Sequence, residues 1–280
     1  MAKALEKYQE IERSIITTYR KTLWSPFVLA VKKYRLIQAG DKIAVCISGG
    51  KDSMLLAKLM QELHRHSEVP FELVFLVMDP GYNEENRRRI EENAALLNVP
   101  LTVFESDVFA AAESASAEAP CYLCARMRRG HLYAKAKELG CNKIALGHHK
   151  SDVIETTLMG MLYGGQIQGM LPRIQSTNFE GMELIRPMYC ILEKDILRWK
   201  EYNGLEFIAC ACKFTKNLTG GEEDTFSARR KVKELISMLK EENPNVENNI
   251  FQSIHNVQLD TLAEYKKEGK KNSFLDKFEA

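Results

Sequence analysis

The chain has 280 residues, 45% hydrophobic and 28% charged, which suits one large domain with an ordinary core. No apolar run reaches bilayer length, and the first twenty residues carry Glu6, Glu10 and Glu12 in place of a signal-peptide apolar core, so no membrane partner and a cytoplasmic location are expected. A net charge of +1 excludes a whole-molecule field for nucleic acid, and seven cysteines in a reducing compartment read as buried thiols, metal ligands or redox groups and not as a disulfide framework.

In chain order, residues 1–40 read as an N-terminal helical segment, with Ile11, Ile15, Ile16 and Tyr19 at helical spacing. Lys32, Lys33 and Arg35 form a basic cluster before Gly40 breaks it. Strand and helix then alternate. Strands are expected over 42–47, 71–78, 101–105, 143–147 and 183–188, and helices over 53–66, 84–97, 124–139, 152–163 and 194–202. Residues 105–119, rich in alanine and serine, read as a surface loop or weak helix. From about residue 224 the chain reads as helices broken at Pro244, a C-terminal helical appendage over 223–280. The alternation predicts an α/β fold: an open parallel sheet with helices on both faces. Its ligand belongs beyond the carboxyl ends of the strands, where Gly49, Asp79 and Gly147 fall.

Ser48-Gly49-Gly50-Lys51-Asp52-Ser53 follows the first strand and opens a helix. The glycines allow positive φ and close approach of a phosphate, the helix start offers free amides and a positive dipole end, and Lys51 adds a full charge. It is not a Walker A loop, because Val45 stands where the first glycine belongs and Asp52 where Ser or Thr should follow the lysine.

Cys121-x-x-Cys124 at a helix start places two thiolates within reach of one metal, and Cys210-Ala-Cys212 lies downstream. Spacing alone leaves a zinc site, an iron–sulfur centre, a redox pair and plain buried thiols open. Leu146-Gly147-His148-His149-Lys150-Ser151-Asp152 ends a strand and starts a helix that Ser151 or Asp152 can cap. His148 reads equally well as a satisfied structural histidine, and Asp79 as a strand-end turn with Pro80-Gly81.

The SGGKDS run resembles the signature of the PP-loop ATP pyrophosphatases. The CYLCARMRRGHLYAKAKELG run, the KIALGHH run, Tyr163-Gly-Gly-Gln-Ile-Gln-Gly169 and Ile185-Arg-Pro187 are similar to the tRNA 2-thiocytidine synthetase family (TtcA) within it. The resemblance implies that 41–222 is an ATP-binding and thiolation domain and that ATP is cleaved between its α- and β-phosphates. It implies adenylation of the 2-carbonyl oxygen of cytidine 32 in a tRNA anticodon loop, followed by replacement with sulfur.

It further implies ATP contacts from Ser48, Gly49, Gly50, Lys51, Asp52, Ser53, Asp79, Gly147 and His148, with Lys51, Asp52 and Asp152 in the chemistry and Mg²⁺ on the phosphates. A [4Fe–4S] cluster would be held by Cys121, Cys124 and Cys212, with Cys210 as the alternative third ligand. A sulfur donor (a cysteine desulfurase system or sulfide) and a homodimer are implied as partners. Ser151 departs from the family's GHHxDD pattern. Candidate RNA contacts are Lys32, Lys33, Arg126, Arg128 and Arg129, with Arg229 and its neighbours also basic; Tyr34 and Tyr122 are candidates to stack on a base. The rival readings are a PP-loop tRNA-modifying ligase without a cluster and a nucleotide- or zinc-binding regulatory module.

Overall fold

The structure, a computed structural model, describes residues 5–106, 120–208 and 223–278. The chain opens with α1 (Lys7–Ile16), a π-helical turn (Arg20–Trp24) and α2 (Ser25–Lys33). The alternating region follows: β1 (Lys42–Ile47), α3 (Lys51–His66), β2 (Glu72–Asp79), α4 (Glu84–Leu96), β3 (Leu101–Glu105), α5 (Pro120–Glu138), β4 (Lys143–Ala145), α6 (Lys150–Gly164), β5 (Arg173–Gln175), β6 (Glu183–Ile185) and α7 (Glu193–Tyr202). The C-terminal part holds α8 (Glu223–Glu242), α9 (Val246–Ser253), β7 (Glu264–Lys267) and β8 (Lys270–Ser273).

The six strands of the main sheet run in the order β3-β2-β1-β4-β6-β5. β1 pairs in parallel with β2 on one side (Lys42 opposite Glu72) and with β4 on the other (Ile43 opposite Lys143). The order therefore reverses between β1 and β4, and the crevice outside their carboxyl ends is where such a sheet binds ligands. Five of the strands run parallel, as expected. The edge strand β5 corrects that expectation: it runs antiparallel to β6, with Arg173 opposite Ile185. The connection between β5 and β6 is too short for a crossover helix, so only an antiparallel return is open to it.

From Ile43 onward β1 is buried. Ile43, Val45 and Ile47 face a core shared with Leu55 and Leu59 of α3 and with Ile196 and Trp199 of α7. Ala44 and Cys46 face a second one with Tyr133 and Ala136 of α5. Ile11 and Ile15 of α1 and Phe27 of α2 join the first, so the N-terminal helices pack onto the sheet layer. Val232 and Ile236 of α8 and Phe251 of α9 pack on Val153 and Ile154 of α6, bringing the C-terminal helices beside the crevice. A β-hairpin, β7 and β8, stands where the sequence reads as helix; Glu268 and Gly269 both have positive φ (52° and 79°), the backbone of a tight hairpin turn.

Candidate functional site

A cleft of about 420 Å³ opens at the switch point. Ser48, Asp52 and Ser53 line one side and Gly147, His148 and Asp152 the other, with Arg128, Arg129 and Arg229 at its rim. Distant chain segments meet because Gly147 has no side chain: a Cβ there would stand 3.1 Å from the backbone carbon of Asp52 and from the Ser53 nitrogen.

The loop after β1 is built to stay open. Gly49 has φ +82°, and a Cβ on it would fall 2.5 Å from Cγ1 of Ile90. Gly50 is the N-cap of α3 and offers no side-chain cap, so the first amides of the helix stay available to an anion. The Ser53 hydroxyl donates to the Gly50 carbonyl (3.0 Å) and accepts from the Ser48 amide (3.1 Å), closing the turn on itself.

Lys51 donates to Asp52 (3.2 Å) and to Glu193 at the start of α7 (3.0 Å). Burial opposes its charge, but Asp52 and Glu193 outweigh burial and raise its pKa. The other Glu193 oxygen accepts from Lys233 of α8 at 2.9 Å. Burial pushes that carboxyl up, yet the hydrogen bonds from Lys233 and Lys51 bring its pKa down to about 2. Glu193 thus ties the phosphate loop to the C-terminal helix.

Asp152 closes a reciprocal cap with His149, accepting from its amide at 3.0 Å while the His149 ring accepts from the Asp152 amide. Arg229 approaches the second Asp152 oxygen at 3.5 Å and Glu155 at 3.5 Å. Glu155 is buried, and burial raises its pKa despite Lys233 and Arg229. Asp52 Oδ1 is buried with no hydrogen-bond partner among the described residues, and His149 Nε2 stands 3.8 Å away. A free anionic oxygen beside Asp152 is the donor chemistry a hard cation such as Mg²⁺ takes. Ser151, where the family pattern has an acid, accepts from the Glu193 amide (3.1 Å) and so caps α7.

His148 lines the cleft, and its Nδ1 is buried without a partner among the described residues. Burial, reinforced by Arg186 and Arg129, lowers its pKa to about 4. Arg186 is itself buried; it donates to the Leu171 carbonyl and leaves Nε unpaired among the described residues. Burial and then Arg129 lower its pKa to about 10.

Other expected residues lie elsewhere. The Asp79 carboxylate accepts from the Gly81 and Tyr82 amides (2.9 and 2.7 Å) and pairs with Arg87, so it organises its own turn. Lys32 and Lys33 are exposed at the end of α2. Tyr34 is half-buried and contacts Tyr189 and His255. Cys121 and Cys124 lie at the start of α5; their side chains, and those of Arg126 and Tyr122, lie outside the described residues, as do Cys210 and Cys212 entirely. Cys46, Cys141 and Cys190 are free thiols. Burial pushes Cys46 up to about 12 and raises the other two, which keeps all three protonated and poor ligands. Of the seven cysteines, the other four are Cys121, Cys124, Cys210 and Cys212, whose thiols lie outside the described residues.

Glu193, Glu155 and Lys233 carry no local sequence signal, whereas Arg186 stands in the Ile185-Arg-Pro187 run. An acid at a helix start and a lysine on a helix face are ordinary features, and only their convergence from distant segments gives them meaning.

A PP-loop domain pattern matches residues 23–217. The chain belongs to the PP-loop family. It is 36% identical over 240 residues to the tRNA-cytidine(32) 2-sulfurtransferase of Alkalilimnicola ehrlichii, covering 84% of this chain and 73% of that one. The enzyme of the same name from Vibrio cholerae serotype O1 is 35% identical over 241 residues, covering 84% and 74%. Within the PP-loop family, the chain thus groups with these 2-sulfurtransferases. The U34-tRNA thiolase NcsA from Methanococcus maripaludis, solved with its [4Fe-4S] cluster, superposes with a TM-score of 0.65 over 86% of this chain and 80% of that one at 19% identity, a likeness of fold. No helix of the described residues is long and apolar enough to cross a membrane.

Proposed function

We propose that this chain is an ATP-dependent tRNA thiolase that replaces the 2-oxygen of cytidine 32 with sulfur. The observation that carries the reading is the cleft at the switch point. There the glycine-flanked start of α3 and two carboxylates face a half-buried neutral histidine and three arginines, with Lys51 next to Asp52.

The β- and γ-phosphates fit the turn of Ser48, Gly49 and Gly50, where the free amides of α3 and Lys51 meet negative charge. Asp52 and Asp152 would hold Mg²⁺ between them and the triphosphate, and Gly147 and His148 would border the nucleotide. Arg128 and Arg129 place positive charge where the phosphates of a nucleotide drawn out of its loop arrive. The cytidine 2-oxygen attacks the α-phosphorus, the Pα–O bond to pyrophosphate breaks, and the loop keeps the leaving pyrophosphate. Sulfur then bonds to C2, and AMP departs with the former 2-oxygen. His148, neutral at physiological pH, offers a hydrogen bond here without adding charge.

A [4Fe–4S] cluster held by Cys121, Cys124 and Cys212 (or Cys210) would supply that sulfur, consistent with a donor set of four cysteines outside the three inert thiols. The sulfur donor upstream, a cytoplasmic location and assembly as a homodimer belong to the same proposal.

The test is anaerobic turnover with ATP, sulfide and tRNA, followed by nucleoside mass analysis. Pyrophosphate, AMP and 2-thiocytidine are expected in equal amounts. ADP and inorganic phosphate with no AMP would overturn the reading. Iron content should fall in Cys121→Ala and in one of Cys210→Ala and Cys212→Ala, and iron unchanged in all three would remove the cluster from it.

A further inference from the structure

β7 and β8 form an antiparallel pair whose register sets like charges face to face: Lys266 opposite Lys271, and Lys267 opposite Lys270. Like charges directly opposite each other destabilise a sheet. Among the described residues only Lys271 is relieved, by Glu264 at 2.8 Å. An isolated two-stranded hairpin is marginal in water to begin with. This one has no extensive packing against any other described helix or strand, and its four lysines are exposed. Immediately after it, Phe274 and Phe278 form an edge-to-face pair and remain 50% and 79% exposed. A projecting, self-repelling element of this kind gains stability from an anion placed at its tip.

The occupant follows from geometry and charge. Side chains alternate across a strand, so Lys266 and Lys271 point to one face and Lys267 and Lys270 to the other. A flat anionic surface would meet only one of those pairs. A polyanion that the tip enters, with phosphates on either side, meets both. The whole chain has a net charge of only +1, so long-range attraction for nucleic acid has to come from such local clusters. Exposed phenylalanines beside the lysines suit the unpaired bases of an RNA loop.

We propose that the C-terminal hairpin is a clamp on the substrate RNA, its four lysines seated on phosphates of the tRNA backbone. This rests on tRNA being the substrate, and the experiment separates the two. Binding of full-length protein to tRNA is measured across a salt series for the native chain, for the quadruple variant K266A/K267A/K270A/K271A and for the same four lysines changed to arginine. ATP binding serves as the check on the core. The alanine variant should bind tRNA at least about tenfold more weakly at low salt, with a slope of log affinity against log salt shallower by about 1 for each lysine that contacts a phosphate. The arginine variant should retain both affinity and slope, and ATP binding should match the native chain in both. A native slope in the alanine variant overturns the clamp and leaves tRNA as the substrate. A native chain that binds no tRNA at any salt overturns the substrate reading and the clamp with it. An alanine variant that loses only its binding to anionic phospholipid vesicles, with the tRNA slope unchanged, overturns the clamp in favour of a membrane contact.

Discussion

Lys51 and Lys58 lie two turns apart on the same helix, and they show two uses of a partly or wholly buried ammonium. Lys58 is fully buried and its donors are saturated: it donates to Glu12, to Gln61 at 2.8 Å and to the Leu97 carbonyl at 2.6 Å. Arg65 holds the other Glu12 oxygen at 2.9 Å. Lys51 keeps 22% of its side chain exposed, shares Asp52 and Glu193 with other groups, and has one proton with no acceptor among the described residues. Saturation in the core fixes a charge in place. Incomplete saturation beside the phosphate turn leaves a charge that can exchange a carboxylate for a phosphate.

The largest effect should come from breaking the saturated site. Lys58→Met leaves the buried Glu12 with only Arg65, and losing one partner of a buried pair costs about 3–5 kcal/mol. Urea unfolding should show this, while the turnover of the remaining folded protein stays native. Pairing it with Glu12→Leu should restore most of the stability, since the uncompensated charge goes too. A single variant within about 1 kcal/mol of the native chain would mean that Lys58 is no more fixed than a surface lysine.

Lys51→Ala should do the reverse. Removing one positioned charge from a phosphate-transfer site lowers turnover by about 100- to 1000-fold, and pyrophosphate release reports it. Melting should change little, because partly exposed pairs contribute roughly 0–1 kcal/mol. A large melting shift with ordinary turnover would reverse the roles assigned to the two lysines.

The same contrast marks how much the sequence alone discloses. The parallel sheet, the phosphate turn and the GHH segment were legible because each is a local pattern: alternation with period two or 3.6, and glycines at a strand end. Lys58 on an amphipathic helix reads like any solvated lysine until α1 is laid across it. Glu193 reads like an ordinary helix-start acid until α8 brings Lys233 against it. The antiparallel edge at Arg173 is three residues long, too short for any period to show. The hairpin was missed because Tyr265 is the lone apolar residue in a run of lysines and glutamates, leaving the Glu268-Gly269 turn as its one local cue.

A smaller effect is expected at the joint between loop and C-terminal helix. Glu193→Gln removes the shared carboxylate while keeping its shape, so Lys51 loses its tether and Lys233 its main partner. Turnover should fall about tenfold through misplacement of Lys51. Gln should also lower the Lys51 pKa, because burial is then opposed by Asp52 alone. A variant with native turnover would show that Lys51 finds the phosphates unaided.

The smallest effect is a pH signature that separates the cleft's neutral histidine from the charged Glu193 that holds Lys51. The folded pKa of His148, about 4, lies below its ordinary value of 6.5. Above pH 6.5 the ring is neutral in both folded and unfolded chains, and its contribution to stability is fully present. As pH falls from 6.5 toward 4 the unfolded chain takes up a proton that the folded chain refuses, so stability declines across that window. Glu193 is also depressed, from 4.5 to about 2, and its contribution is lost only at lower pH, between those values. The two groups therefore act in adjoining windows. His148→Gln should flatten the plot of urea midpoint against pH between 6.5 and 4 and leave the more acidic limb unchanged. Curves that run parallel to the native chain through that window would mean the ring already carries its proton in the folded cleft, and a neutral hydrogen-bonding role beside the nucleotide would have to be given up.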